Sequence, residues 1–510
     1  MSELASMSPV RANGQKWWTL SGVSIASFLG CIDFTIVNTV IPAIQADLHA
    51  SVEQSQWIIS IFLMALCASM VVAGRLADLH GRRLLLYLGM AIFGLSSLGA
   101  GLAGSIEWLI PFRFIQGVSC AALYTASAAI VSNAFPEGER GRAIGILFGV
   151  NGIGLAIGPV VGGMLVSGFG WRSVFLVNIP LILLSFAICL RGVHESRSSD
   201  ESEKVDWLGL VLLVISVSGL MLGITQGIKW GWTSSQTLSV FGVAVILLVI
   251  FVRVERVKPS PLIHVDLFFN RGFIVASIAT FSLAFFYCAA FFLMPMYLKM
   301  IGHLDGFMIG TLLLPTTAVM ALASPVVGRI TDHIGPRPLL MAGFLLLALS
   351  AALQARFENS LSFAYIITAF AAMGLGWACI LGPSTVAALA SVPERLGGVA
   401  MGASWTLHNL GGAVGLSIAT IIYQVFARNW LVHAVHARVP LSPDTAGAIV
   451  ADPLSAAARL STSGMSPEAV EQVVGQFFVH GYQASMWMLL AICLLASGTI
   501  GLCIRARSRT

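Results

Sequence analysis

The chain has 510 residues, 57% hydrophobic and 10% charged, with a mean hydropathy of +0.89, which excludes a soluble globular protein. Its net charge of +5 says little as a sum, because in a membrane protein the distribution of charge among loops carries the information. The cysteines at 31, 67, 120, 189, 288, 379, 493 and 503 fall singly in apolar segments with no CxxC spacing, which argues against a disulfide framework or a metal centre.

The first residues, MSELASMSPVRANGQKWW, contain Glu3 and lack a short apolar core with a small-residue cleavage site, so the first apolar run is expected to stay as a span. Fourteen apolar segments long enough to cross a bilayer follow. They are 17–43, 55–75, 84–104, 108–132, 142–167, 172–191, 207–227, 236–253, 272–298, 307–328, 338–356, 361–390, 398–426 and 481–503. An even count puts both termini on one side. Most of the 28 Lys and Arg then fall in the tails and alternate loops, including Arg75, Arg82, Arg83, Arg140, Arg142, Arg191, Arg253, Arg329, Arg395 and Arg505. Lys229, Lys299, Arg172, Arg356, Arg428, Arg438 and Arg459 lie in the opposite set, and Arg113 is inside a span. The positive-inside rule makes both termini cytoplasmic. The polar stretch 427–480 reads as an extracytoplasmic loop with a short helix near 467–478.

A tract between spans 2 and 3 recurs between spans 10 and 11. Gly74-Arg-Leu-Ala-Asp78-Leu-His-Gly81-Arg82-Arg83 matches Gly328-Arg-Ile-Thr-Asp332-His-Ile-Gly335-Pro-Arg337, 254 residues later. Positive-inside loops explain the arginines but not the repeated Asp and Gly. The repeat divides the chain into a six-helix half over 1–192, linkers and an inserted helix pair over 193–271, and a second six-helix half over 272–510. Parallel halves of this kind place a central site near the bilayer midplane. The charged linker HESRSSDESEKVD precedes the inserted pair.

Span 5 contains the run GILFGVNGIGLAIGPVVGG, 145–163. At about 100° per residue Gly154, Gly158 and Gly162 share one face and form a groove without side chains, while Gly145 lies nearly opposite. Each glycine costs about 1 kcal/mol against Ala in an aqueous helix, but in lipid the backbone has no other partner and the bare face lets another helix approach. An ordinary small-residue packing helix and a helix that bends and closes a pathway, with Pro159 in its middle, both fit this stretch.

These stretches resemble motifs of the major facilitator superfamily. GRLADLHGRR is similar to its loop motif, Arg113-Phe-Ile-Gln116-Gly117 to its fourth-helix motif, and Gly145, Gly154, Gly158, Pro159, Gly162 and Gly163 to the antiporter motif of its drug exporters. Asp33-Phe-Thr-Ile-Val-Asn38-Thr-Val-Ile-Pro42 resembles the first-helix motif of the fourteen-span drug:proton antiporter branch, the EmrB- and QacA-type pumps. Leu79, Val40 and Phe62 depart from the residues usual in that branch, and Leu79 weakens the expected loop contact. The resemblance implies an all-α integral membrane protein, not an enzyme, that exports hydrophobic compounds in exchange for protons. It implies no cofactor beyond the proton gradient, no nucleic-acid partner, and a monomer in the cell membrane. In a Gram-negative envelope it also implies a periplasmic adaptor and an outer-membrane channel.

Asp33 and Arg113 are the acid and base placed well inside spans, where an isolated charge costs about 2.5–3.5 kcal/mol and usually faces a cavity or a partner. Asp33 is thus a candidate proton carrier, with a structural Asp–Arg pair, or an Arg113 that holds backbone carbonyls, as alternatives. Asn38, Gln116, His408 and Asn409 are the neutral polar candidates for a substrate pocket. Met294, Met296, Met300 and the phenylalanines of span 9 suit either a deformable wall or a lipid-facing surface. The second half shows no acid at depth, which favours neutral or anionic ligands over cations. A membrane enzyme would need a nucleophile or metal motif, and HExxH, GxSxG and Walker A patterns are absent. A receptor would not need duplicated halves, and an importer of one specific solute stands as the alternative transporter.

Overall fold

A computed structural model describes residues 9–195, 205–258, 261–263, 265–358, 362–435, 443–451, 456, 460 and 466–503. Arg438, Arg459, Arg505 and the middle of the 194–206 linker lie outside the described residues. Fourteen helices among them are long and apolar enough to cross a membrane. The first half comprises α1 (Pro9–Leu48), α2 (Val52–His80), α3 (Arg82–Gly101), α4 (Ile106–Ala134), α5 (Arg140–Phe169), and a sixth span made of α6 (Ser173–Leu176) and α7 (Asn178–Gly192). The inserted pair is α8 (Trp207–Trp230) and α9 (Ser235–Val257). The second half comprises α10 (Arg271–Met300), α11 (Gly306–Ile334), α12 (Pro336–Gln354), α13 (Phe363–Ala390), α14 (Gly397–Val435) and, after the short α15 (Pro443–Ala451), α16 (Pro467–Cys503).

Two expectations change at the long loop. Helix α14 runs on to Val435, and residues 467–478 are the first turns of α16 rather than a separate helix. Both helices project beyond the bilayer thickness implied by their apolar windows, since hydropathy marks where a helix leaves lipid and not where its hydrogen bonds end.

The surface is apolar. Leu95, Trp108, Leu322 and Leu495 are all largely exposed, as lipid contact requires. Charged and polar groups turn inward or sit at the ends. The inserted pair lies against both halves: Leu213, Val217 and Met221 of α8 pack with Cys67, Ala68 and Val71 of α2 and with Val399, Ala400 and Ala403 of α14. Its ends are fixed by two acids. Asp206 caps α8 through the Gly209 N–H at 2.8 Å and pairs with Lys258, while the Glu255 carboxylate accepts the Ile263 N–H at 2.9 Å.

The glycine groove of α5 receives α1. A Cβ at Gly158 would stand 2.0 Å from Thr35 Oγ1, one at Gly162 2.3 Å from Thr39 Oγ1, and one at Gly154 2.9 Å from Phe28. The opposite face, where Gly145 and Gly149 lie, meets α11 of the other half: a Cβ at Gly145 would fall 2.3 Å from the Ser324 carbonyl. So α5 is bare on two faces because it is clasped on two sides, which supplies the separate reason that Gly145 requires. Gly163 and Pro159 are exposed, and a Cβ at Gly163 meets nothing.

Gly158→Leu therefore forces α1 and α5 apart, at a cost of about 1–3 kcal/mol. Thermal unfolding of the purified protein should show a lowered midpoint for Gly158→Leu and an unchanged one for Gly163→Leu. Equal midpoints would mean that the groove is not a packing surface.

Candidate functional site

Three polar assemblies stand out in this apolar frame. The first surrounds Asp33 in the middle of α1. Asp33 is fully buried and Arg113 of α4 is 1% exposed; the guanidinium Nη1 donates to Asp33 Oδ2 at 2.5 Å. Arg113 also donates to Gln116 Oε1 at 2.9 Å and, through Nε, to the Ile58 carbonyl of α2 at 3.2 Å. Asn178, at the start of α7, donates to Asp33 Oδ1 at 3.1 Å and to Ser97 Oγ of α3 at 3.3 Å, and Gln116 Nε2 reaches the same Ser97 at 2.7 Å. The Phe62 ring lies 4.3 Å from the guanidinium carbon, so its apolar face covers the cation without a competing hydroxyl. Five helices of one half thus join a single network, in which α4 and α7 reach the Asp33 carboxylate directly. Both readings of Arg113 hold together, since it pairs with an acid and holds a backbone carbonyl.

Gln116, a substrate-pocket candidate, lies within this assembly, bonded to Arg113 and Ser97. Asn38 is exposed and hydrogen-bonds its own helix at Phe34. Ser97 and Asn178 escaped sequence reasoning because a Ser or Asn at a helix end normally reads as a cap.

The second assembly is a pair of carboxylate latches between the halves. Asp78 Oδ1 and Oδ2 accept the N–H groups of Gly398 and Val399, at the first turn of α14, each at 2.9 Å. Asp332 Oδ1 and Oδ2 accept those of Gly141 and Arg142, at the first turn of α5, at 2.7 and 3.0 Å. Each repeated Asp therefore caps a helix of the opposite half, where free N–H groups and the helix dipole favour an anion. The glycines allow the approach: a Cβ at Gly74 would stand 2.0 Å from the Gly398 carbonyl. Gly81 has φ +112°, and its equivalent Gly335 has φ +80°, so the tract turns from one helix to the next in a conformation other residues avoid. Arg82 donates to Asp78 Oδ1 at 2.8 Å and to the Glu394 carbonyl, and Arg140 reaches the Glu394 carboxylate at 3.1 Å. The Arg83 N–H and that of Leu84 are capped by Glu195 at 3.1 and 3.2 Å. Asp78 and Arg82 carry this contact with no basic residue at position 79. Sequence reasoning missed the receiving ends, although they share a pattern: Pro136-Glu137-Gly-Glu-Arg-Gly141 and Pro393-Glu394-Arg-Leu-Gly-Gly398, each with a 3-10 turn before its helix.

The third assembly is aromatic and lies between the halves. Tyr124 of α4 stacks on Trp405 of α14 at 5.6 Å and 13°, and Phe148 of α5 lies 6.1 Å from the same indole. His408 is buried beneath Trp405. Its Nδ1 is 3.0 Å from Thr280 Oγ1 and its Nε2 3.3 Å from the Tyr287 hydroxyl, whose ring stacks on Trp377 at 4.5 Å. Asn409 donates to the Trp405 carbonyl at 2.8 Å, which occupies it within its own helix. The Met and Phe residues of span 9, which suited either a deformable wall or a lipid-facing surface, divide between core, cluster and exterior, Phe291 lying 5.8 Å from the Trp377 ring. Met294 and Phe286 are sealed in the core and Phe292 faces outward, so the aromatic lining comes from α4, α10, α13 and α14 together.

Fourteen spanning helices in two latched halves, with a buried acid–base pair in the middle of the first half, define a solute transporter fold of the alternating-halves type. Residues 23–416 match the family model of the Major Facilitator Superfamily, and the chain belongs to that family. It is 30% identical over 492 residues, 95% of this chain and 91% of the relative, to the tetracenomycin C resistance and export protein of Streptomyces glaucescens. It is 33% identical over 404 residues, 78% of this chain and 74% of the relative, to the multidrug resistance protein Stp of Mycobacterium tuberculosis. It is also 29% identical over 402 residues, 79% of this chain and 87% of the relative, to the riboflavin transporter RibZ of Clostridioides difficile. The solved structure of the human organic anion transporter MFSD10 shares the fold at a TM-score of 0.63 and 12% identity, over 95% of this chain and 99% of that one.

Replacing Asp78 or Asp332 by Asn removes an anion from a helix N-terminus, worth about 0.3–1 kcal/mol and up to about 2 kcal/mol when partly buried. Each variant should stay inserted but shift toward a state parted at the latch end, and the double variant should shift further. Labelling of single cysteines placed at that end should rise in the same order. Unchanged labelling in the double variant would mean that these bonds do not hold the halves together.

Proposed function

We propose that this protein is a proton-coupled antiporter that exports hydrophobic compounds from the cytoplasm by alternating access, with no covalent step on its cargo. The observation that carries this reading is the Asp33–Arg113 pair, a titratable carboxylate sealed inside one half and bonded to its neighbours through removable hydrogen bonds. The export function of the relatives from Streptomyces glaucescens and Mycobacterium tuberculosis supports it. In this reading both termini and the two latches face the cytoplasm across the cell membrane, which the charge bias of the loops supports. Among the described residues, hydrogen bonds between the halves run from Cys67 and Thr406 to the latches, which supports an arrangement closed on that side.

In this cycle a proton from the acidic exterior neutralises Asp33. The guanidinium of Arg113 then keeps Gln116 and the Ile58 carbonyl but loses its anion, and the bonds that tie α1 to α4 and α7 weaken. The helix packing that favours the closed latches is no longer held from the interior, the halves part at the cytoplasmic end, and water reaching Asp33 takes the proton. A proton moves such an equilibrium only if the two states bind it differently. Rehydration of Asp33 supplies that difference. Among the described residues the ring cluster between the halves shows hydrogen bonds to Thr280, Cys31 and His408 and none to an acid, which favours neutral or anionic cargo. In this reading the protein acts as a monomer, since both halves of the duplication lie in one chain, and any adaptor or outer-membrane channel depends on the envelope. The specific-solute alternative draws on the riboflavin transporter among the relatives, and the same vesicle measurement with riboflavin as cargo distinguishes it.

Uptake of lipophilic anions, cations and neutrals into inverted vesicles with an imposed proton gradient tests the proposal. Asp33→Asn should abolish gradient-driven uptake while ligand binding persists, and Asp33→Glu should retain part of the activity with a shifted pH optimum. Full gradient-driven uptake by Asp33→Asn would remove Asp33 from the coupling and leave His408 as the next residue to test.

A further inference from the structure

The Tyr124–Trp405 stack joins a ring from one half to a ring from the other, and the motif readings above do not account for it. Its position is informative. Trp405 lies six residues along α14 from Val399, about 9 Å inward from the latch, and Tyr124 lies eleven residues along α4 from Arg113, about 16 Å toward the latch end. The stack therefore sits between the latch and the buried ion pair. Since the two rings belong to different halves on the latch side of the pair, any movement that parts the latch also pulls these rings from each other and exposes two facing aromatic surfaces.

Around them the chemistry is aromatic and uncharged. Phe148 and His408 flank Trp405 at 6.1 and 4.8 Å, Cys31 Sγ lies 3.2 Å from the Tyr124 hydroxyl, and Tyr287 links His408 to Trp377. The Trp377 Nε1–H is buried with no hydrogen-bond partner, although Trp377 is only 4% exposed. A buried indole N–H normally finds an acceptor, so this one is a vacant donor at the edge of the cluster. The nearby acid, Asp33, is occupied by Arg113 and Asn178.

We propose that Tyr124 and Trp405 form a substrate clamp: a planar, uncharged aromatic molecule bearing carbonyl or hydroxyl oxygens binds between the two rings when the halves part at the latch end, and the rings close on each other and displace it when the latches form. Ring–ring and ring–ligand stacking use the same surfaces, so they exclude one another. Exclusion gives the ligand different affinities for the two states, which is the condition for moving it in one direction. The inference rests on the exporter reading for that direction, while the clamp itself is a statement about binding.

The test is equilibrium dialysis with the purified full chain and two radiolabelled probes, 9,10-anthraquinone, which is planar with two carbonyl oxygens, and androstane-3,17-dione, which is saturated and puckered with the same two. The wild type should bind anthraquinone the more tightly. Trp405→Leu and Tyr124→Leu should each weaken anthraquinone about tenfold, the range of a lost stacking partner, and change androstanedione about twofold or less. Trp405→Phe, which keeps a ring, should stay within about threefold of the wild type, and Asp78→Asn, by populating the parted state, should tighten anthraquinone binding. Equal losses for both probes, no loss in either Leu variant, or a wild type without preference for the planar probe would overturn the clamp. Anthraquinone binding with the expected variant pattern, but no gradient-driven uptake into inverted vesicles, would uphold the clamp and defeat the exporter reading instead.

Discussion

A charge in the apolar interior of this bundle has no water to turn to, and the structure is arranged around that constraint. Asp33 and Arg113 are sealed from solvent, so each must be satisfied by the other and by neighbouring dipoles. Removing one member of such a pair is costly, by about 3–5 kcal/mol, because the survivor is left buried and unpaired. This is why α1, α2, α3, α4 and α7 contribute a polar atom each to one small volume. A group held so tightly in one arrangement is also a group whose loss of charge is felt by five helices at once.

The same electrostatic logic operates at the latch end with helix dipoles in place of side-chain cations. Asp78 and Asp332 each lie on the N-terminus of a helix from the opposite half, and glycines on both sides bring the backbones within reach. The two contacts are related by the duplication of the chain, so the halves close symmetrically. The α8–α9 pair breaks that symmetry. It packs across α2 and α14, beside one latch, and so covers one seam between the halves while α5 and α11 close the other.

Much of this was legible in the amino-acid sequence. Span positions follow from hydropathy, which reports burial in lipid directly, and the tract at 74–83 with its copy at 328–337 exposed the duplication. The Asp33–Arg113 pair was legible because charge inside a span is rare enough to demand a partner. The pairing of Asp78 with Gly398 was not, since a carboxylate can cap any helix terminus and nothing in the sequence says which one lies near. Asn38, Gln116 and Asn409 look alike as polar residues in apolar runs, yet they serve a helix carbonyl, the ion-pair network and the Trp405 carbonyl respectively. Side-chain direction separates them, and direction depends on tertiary contacts. The long loop was overestimated for a related reason: α14 and α16 continue as helices after their sequence turns polar.

The central claim is that Asp33 exchanges its proton as the halves alternate. The most direct measurement is proton release in weak buffer when purified protein is mixed with a compound that the wild type exports from inverted vesicles. Release from the wild type and its loss in Asp33→Asn, with binding of the compound retained, is the result this account predicts. Undiminished release from Asp33→Asn would contradict it.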